Sequence, residues 1–295
     1  MPIYIPVNGE KKKVKSIFGN VNGEKTKIVG MFGNVAGAKV GLFSEESGGL
    51  GRFVCVGSGG ASYYSLDGVN WIAMSGLNTN KTYSSICYGN GRFVCVGVGG
   101  ASYYSLDGVT WVAMSGLSSS YSYSGVCYGN GRFVCVGGGG ASYYSLDGVT
   151  WVAMSGLSSS YSYNRVCYGN GRFVCVGTKG KSYYSLDGVN WIAMSGLNTT
   201  PSYFDVCYGN DRFVCVGGIG CYYSTDGVNW VIMSGIDTSI VYYGVCYGNG
   251  RFVCVGGGGA SYYSLDGVTW VAMSGLSSAT YYGVCYSIDG GYDNS

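Results

Sequence analysis

The segment GRFVCVG, or a close variant, begins at Gly51, Gly91, Gly131, Gly171, Asp211 and Gly250, a spacing of forty residues four times and thirty-nine once. Six Trp, at 71, 111, 151, 191, 230 and 270, keep the same phase. A period near forty made of strand-like runs limits the chain to a radial or stacked array of small sheets, and propeller blades fit it best. Within one repeat, Ser85–Tyr88 and Arg92–Gly97 flank Asn90-Gly91, the strongest short hairpin signal because both turn positions want positive φ. Ala101–Ser105 is expected as a third strand, Asp107-Gly108 as a second tight turn, and Thr110–Ser115 as the fourth strand. Runs such as RFVCV are apolar on both faces, as strands between neighbouring blades must be.

The fold class that follows is all-β. The expectation is a six-bladed β-propeller at 47–295 and a small N-terminal β-repeat unit at 1–46. The last copy stops after Tyr281–Ser287 while the first copy lacks that strand, so the C-terminal strand is expected to close the ring. Residues 1–46 carry a fourteen-residue repeat (VNGEKKKVKSIFGN, VNGEKTKIVGMFGN), too short for a robust core of its own. It is expected to attach the propeller to something else, and a homo-oligomer is allowed.

Only 11% of residues are charged and the net charge is +2. Residues 1–48 hold seven Lys against four Glu, and the remainder holds ten basic against eleven acidic side chains. That balance excludes a long basic surface for nucleic acid. Lys11-Lys12-Lys13 reads as a solvated strand edge. No apolar run approaches the roughly 20 residues a membrane span needs, and the N-terminus lacks a signal-peptide core, so no membrane insertion is expected.

Thirteen Cys suggest disulfides, but a two-residue Asn90-Gly91 turn sets Cys87 opposite Val94 and Cys95 opposite Ile86, on opposite faces. The count is odd, there is no C-x-x-C and no His, so the thiols read as small buried hydrophobes, without metal or cofactor. Cys221 alone leaves the pattern. Without His there is no Ser-His-Asp or Cys-His site. Six Arg before Phe and six turn Asp recur in every repeat, which marks them as framework. Asp205 with Asp237 is the one thin carboxylate pair, so the chain is expected not to be an enzyme.

YSLDGVTW (Tyr104–Trp111) and its relatives resemble the Asp-box turn of sialidase-type propellers, through Ser105, Asp107, Gly108, Thr110 and Trp111, with one residue fewer between Asp and Trp. The sialidase catalytic set has no counterpart here, so the resemblance implies a structural turn and no activity. The fuller pattern, YGNGRFVCVG followed by YYSLDGVNW, resembles repeats of phage and prophage tail and receptor-binding proteins across residues 50–287. Those repeats usually carry Ala where Cys95 stands. The N-terminal repeat resembles leader segments of prophage tail proteins.

Comparing the copies locates the variation. Ala101–Gly137 and Ala141–Gly177 match everywhere except that Ser124-Gly125 becomes Asn164-Arg165. The Asn-Gly and Asp-Gly turns, expected on one end of the propeller, are nearly constant. The inter-blade links, first-strand starts and second-to-third loops, expected on the other end, hold almost every change. Tyr, Ser, Asn and Gly with occasional Arg and Phe is the composition of a recognition surface. Lys81, Tyr121, Tyr161, Asn164, Arg165, Lys179, Lys181, Phe204, Asp205, Tyr243 and Tyr282 are the candidate ligand-binding residues. The resemblance implies a phage or prophage tail protein, in the virion or, during assembly, in the host cytoplasm. It would grip a cell-surface glycan or protein receptor and contact other virion or tail proteins through its N-terminal unit. Alternatives are a structural virion or scaffold component without its own ligand, and a degenerate glycosidase.

Overall fold

The computed structural model describes residues 52–66, 70–218 and 220–284, together with the backbone of six strands between Tyr4 and Phe43. Five antiparallel sheets have four strands each in sequential order. Their first strands are Tyr83–Gly89, Tyr123–Gly129, Tyr163–Gly169, Tyr203–Gly209 and Tyr242–Gly248, which we number sheets 2 to 6. Sheet 1 has five strands: Gly30–Val35, Ala38–Phe43, Arg52–Val56, Ser62–Ser65 and Ile72–Ala73. First strands of sheets 2 to 6 lie side by side, and Ala38–Phe43 of sheet 1 lies beside the first strand of sheet 2, the radial arrangement of β-propeller blades.

The hairpin register is the one expected, with Cys87 opposite Val94 and Ile86 opposite Cys95. Asn90 (φ 47°) and Gly91 (φ 69°) both adopt the left-handed conformation that a two-residue turn demands. The first strand is longer than the sequence suggested because Tyr83 pairs with Gly97 across a bulge before Ser85. The outer strand is shorter, only Val112–Ala113, because Thr110 is held by the Asp107 turn.

Apolar side chains fill the spaces between sheets. Cys87, Val94 and Val96 of sheet 2 meet Tyr123, Val126, Phe133 and Trp151 of sheet 3, and the same cluster recurs around the array. Burying a Phe such as Phe133 is worth about 2–3 kcal/mol. Gly89 faces the ring of Tyr128 so closely that a Cβ would stand 2.0 Å from it, which explains the constant CYG motif. Polar ties reinforce the stack: Arg92 donates from Nη1 to the Asp147 carbonyl of the next sheet, its guanidinium lies 5.2 Å from the centre of the Tyr104 ring, and Trp111 Nε1 points at Met74 Sδ.

At the N-terminus, Tyr4–Val7 pairs with Glu10–Lys13 and Gly19–Val21 with Glu24–Thr26, each a two-stranded ladder. Lys11–Lys13 thus sit on a strand edge. The ring-closing expectation needs correction. The edge of Arg52–Val56 meant for the C-terminal strand pairs with Ala38–Phe43, so sheet 1 also runs across the boundary drawn at 46/47. The eight residues 44–51 link those two strands, whereas the C-terminal strand must return across the whole chain, and loop-closure entropy favours the local partner. Tyr281–Val284 form no strand; Tyr281 N donates to Gly256 O (3.0 Å), as Tyr83 N does to Gly57 O. The rest of the expected strand, 285–287, lies outside the described residues.

Candidate ligand-binding face

The two ends of each sheet differ as the copies implied. At one end, the Asn-Gly turn of a sheet meets the Asp-Gly turn of the next: Asn90 Nδ2 donates to Leu146 O at 3.4 Å, and Asn130 to Leu186 O at 3.4 Å. At the other end, each inter-blade link rests against the second-to-third loop. Val98 N donates to Thr82 O at 2.8 Å and Gly100 N to Tyr121 O at 2.7 Å. This second end carries all the candidate residues.

They fall into two groups. Five lie where the link meets the loop. Lys81 Nζ donates to Gly99 O at 2.9 Å, the exposed Tyr121 ring covers Gly139, and Lys181 Nζ stands 4.7 Å from the centre of the Tyr161 ring. Lys179 joins them, exposed and left-handed at φ 52°, where Gly59, Gly99, Gly139 and Gly258 take the same conformation. The other six form a strip across the starts of the first strands of sheets 4 to 6 and the segment that follows sheet 6. Asn164 Nδ2 donates to Tyr203 O at 2.7 Å and Arg165 Nε to Asp205 Oδ1 at 2.7 Å. Phe204, Tyr243 and Tyr282 pack in a row, with ring centres 5.3 Å and 5.0 Å apart and planes inclined by 44° and 48°. Tyr282 ends the row 63% exposed.

Asp205 is bound inward. Besides Arg165, its Oδ1 accepts Val206 N (3.0 Å) and its Oδ2 accepts Val245 N of sheet 6 (3.1 Å). Those N–H groups face away from the second strand, where an innermost strand has no ladder partner and needs an acceptor from elsewhere. Ser85 does the same for Val126 N at 3.2 Å. Arg165 has no acceptor to offer Val206, so Asp205 turns one oxygen back to its own neighbour and takes the guanidinium as well. Both changes in the copied segment therefore have partners in sheet 5. Sequence comparison found the residues but not this pairing, although opposite charges forty residues apart at one repeat position were the visible signal. Ser85, a polar cap of the same kind, was missed because Ser there looks ordinary.

The other carboxylate, Asp237, accepts Ser239 N (2.9 Å) and Ser239 Oγ (2.7 Å) and shapes a turn. The fixed Tyr of each first strand is framework: Tyr123 is fully buried and its hydroxyl donates to Ser118 O at 3.1 Å. Burial pushes the thiols of Cys87, Cys95, Cys127, Cys135 and Cys175 well above their usual range, which keeps them as neutral hydrophobes. Burial raises Cys221 to about 12, partly offset by a hydrogen bond to the Gly217 backbone.

No family model and no curated protein matches the sequence. Solved structures do. A YCF48 structure bound to a D1 peptide is similar at TM-score 0.57 and 18% identity, covering 75% of this chain and 76% of that one. The GH74 enzyme of Niastella koreensis is similar at 0.57 and 18%, covering 80% of this chain and 38% of the enzyme. The WD40 β-propeller domain of Doa1 is similar at 0.54 and 12%, covering 70% and 72%. These likenesses define the fold as a β-propeller, an architecture compatible with ligand binding.

Proposed function

We propose that this protein is a six-bladed propeller that binds a cell-surface glycan through the variable end of its sheets, as a tail receptor-binding protein of a phage or prophage. The observation that carries the binding reading is the Phe204–Tyr243–Tyr282 row. It crosses three successive repeat positions on the end where the copies differ, and it ends on an exposed ring. Aromatic faces offer sugars contact area at low entropic cost, and the neighbouring Asn and Ser groups can bond hydroxyls. The spent oxygens of Asp205 support a binding role without catalysis. The tail assignment rests on the repeat and leader resemblances, with the N-terminal repeat as the attachment to the particle.

One observation favours the second reading, a structural virion component. Asn164 and Arg165 bond to the first strand of sheet 5, and Asp205 accepts from that of sheet 6, as pure scaffold would. Binding of the full chain to bacterial cells and a glycan array separates the two. Phe204→Ser with Tyr243→Ser should lose binding at least tenfold while circular dichroism stays unchanged. Undiminished binding in that variant, or no binding by the parent, contradicts the recognition reading.

A further inference from the structure

Sheet 4 is a near copy of sheet 3 that has gained charge of one sign at one corner. Where sheet 3 has Gly125, Gly139 and Ala141, sheet 4 has Arg165, Lys179 and Lys181. Backbone bonds bring these together: Thr178 N donates to Ser162 O at 2.9 Å, and Arg165 pairs with Val176, three residues before Lys179. Lys181 lies over the Tyr161 ring, and Gly139, the counterpart of Lys179, lies against Tyr121, the counterpart of Tyr161, so both lysines flank the link that leads into the Arg165 strand. Against three positive groups there is one carboxylate, Asp205, whose oxygens are filled by three donors.

Two details indicate that these cations are kept for use. Arg165 spends only Nε on Asp205, and its terminal nitrogens have no partner among the described residues, at a side chain 20% exposed. A guanidinium fixed through Nε presents its remaining N–H fork in one orientation, suited to a carboxylate. Lys179 is exposed on a left-handed backbone position that four sister sheets give to Gly, so its ammonium is held out from the loop. Lys181 stretches over Tyr161 and so places a second charge beside an aromatic ring.

We propose that this corner binds a carboxylate-bearing saccharide, a uronate or sialate unit, with the acid on the Arg165 fork and the lysines, and the sugar face toward the Phe204 row. The inference rests on the glycan reading above and narrows it. A saccharide is favoured over an acidic peptide because Arg165 is bonded to Asp205, the neighbour in sequence of Phe204, which opens the row of rings. The test uses the full chain in calorimetric titrations with uronate and sialate oligosaccharides, their carboxyl-reduced neutral counterparts, and polyglutamate. The Lys179→Gly/Lys181→Ala variant restores the sister-sheet residues and so preserves the fold.

The acidic sugars should bind at least tenfold more tightly than their reduced forms. That margin should shrink in the double variant and at raised salt. Equal binding of acidic and reduced sugars, or full affinity in the double variant, overturns the acid-recognition inference and leaves the glycan reading standing. Binding of none of the sugars overturns the acid-recognition inference, while the cell and glycan-array assay decides the glycan reading separately. Polyglutamate binding as tightly as the acidic sugars overturns the choice of saccharide.

Discussion

Arg165 and Asp205 answer for each other. Their side chains are 20% and 12% exposed, so removing one leaves the other charge poorly solvated. Arg165→Gly alone should destabilise the fold by about 2–3 kcal/mol, since breaking a buried pair from one side is costly. Arg165→Gly with Asp205→Ser restores the polar cap seen at Ser85, and should recover most of that loss in a double-mutant cycle by urea unfolding. Lys179→Gly should act in the opposite direction, raising stability by about 1 kcal/mol as the left-handed strain is relieved. How much of this was legible beforehand differs by residue. Comparing copies picked out Asn164-Arg165, because identical flanks left nothing else to explain. It could not show that the new Arg points at the next sheet, since a forty-residue offset in sequence becomes a hydrogen bond only once the sheets stand side by side.

The Asp-Gly turn is the most repeated device. Ser105 Oγ donates to Asp107 Oδ1 and accepts Gly108 N, while Val109 N and Thr110 N also converge on Oδ1. Burial pushes the Asp107 carboxyl up, but the Thr110 hydroxyl, these backbone groups and Ser105 outweigh it and bring it down to about 2 from 3.8. Asp147, Asp187, Asp226 and Asp266 are lowered by matching sets of bonds. A carboxyl with a lowered folded value stabilises fully above its unfolded value and loses that contribution as pH falls through the folded one. Melting temperature should therefore hold down to about pH 4 and drop between about pH 4 and pH 2, and Asp147→Asn should flatten part of that drop. The Ser-x-Asp-Gly spacing made this turn readable from sequence. The outer strand was overestimated because Asp107 takes the Thr110 N–H.

Five four-stranded sheets and one of five strands follow one another along the repeats, with the innermost strands of neighbouring sheets adjoining. The period and the Asn-Gly turns carried that architecture in plain view. Strand exchange at the seam was hidden, because Ala38–Phe43 shares no motif with the other first strands and its pairing with Arg52–Val56 follows from proximity. Deleting residues 1–43 should accordingly lower thermal stability by exposing that strand edge, measured by melting and by size-exclusion chromatography. The division into a constant and a variable end is the broader consequence. The framework turns tie sheet to sheet, and the proposed recognition falls to the opposite loops. Hydrogen–deuterium exchange of the full chain, with and without polysaccharide from a bacterial surface that it binds, tests that division directly. Protection should concentrate at 158–165, 178–181, 200–205 and 240–244. Protection confined to the Asn-Gly and Asp-Gly turns, such as 90–91 and 107–108, would contradict it.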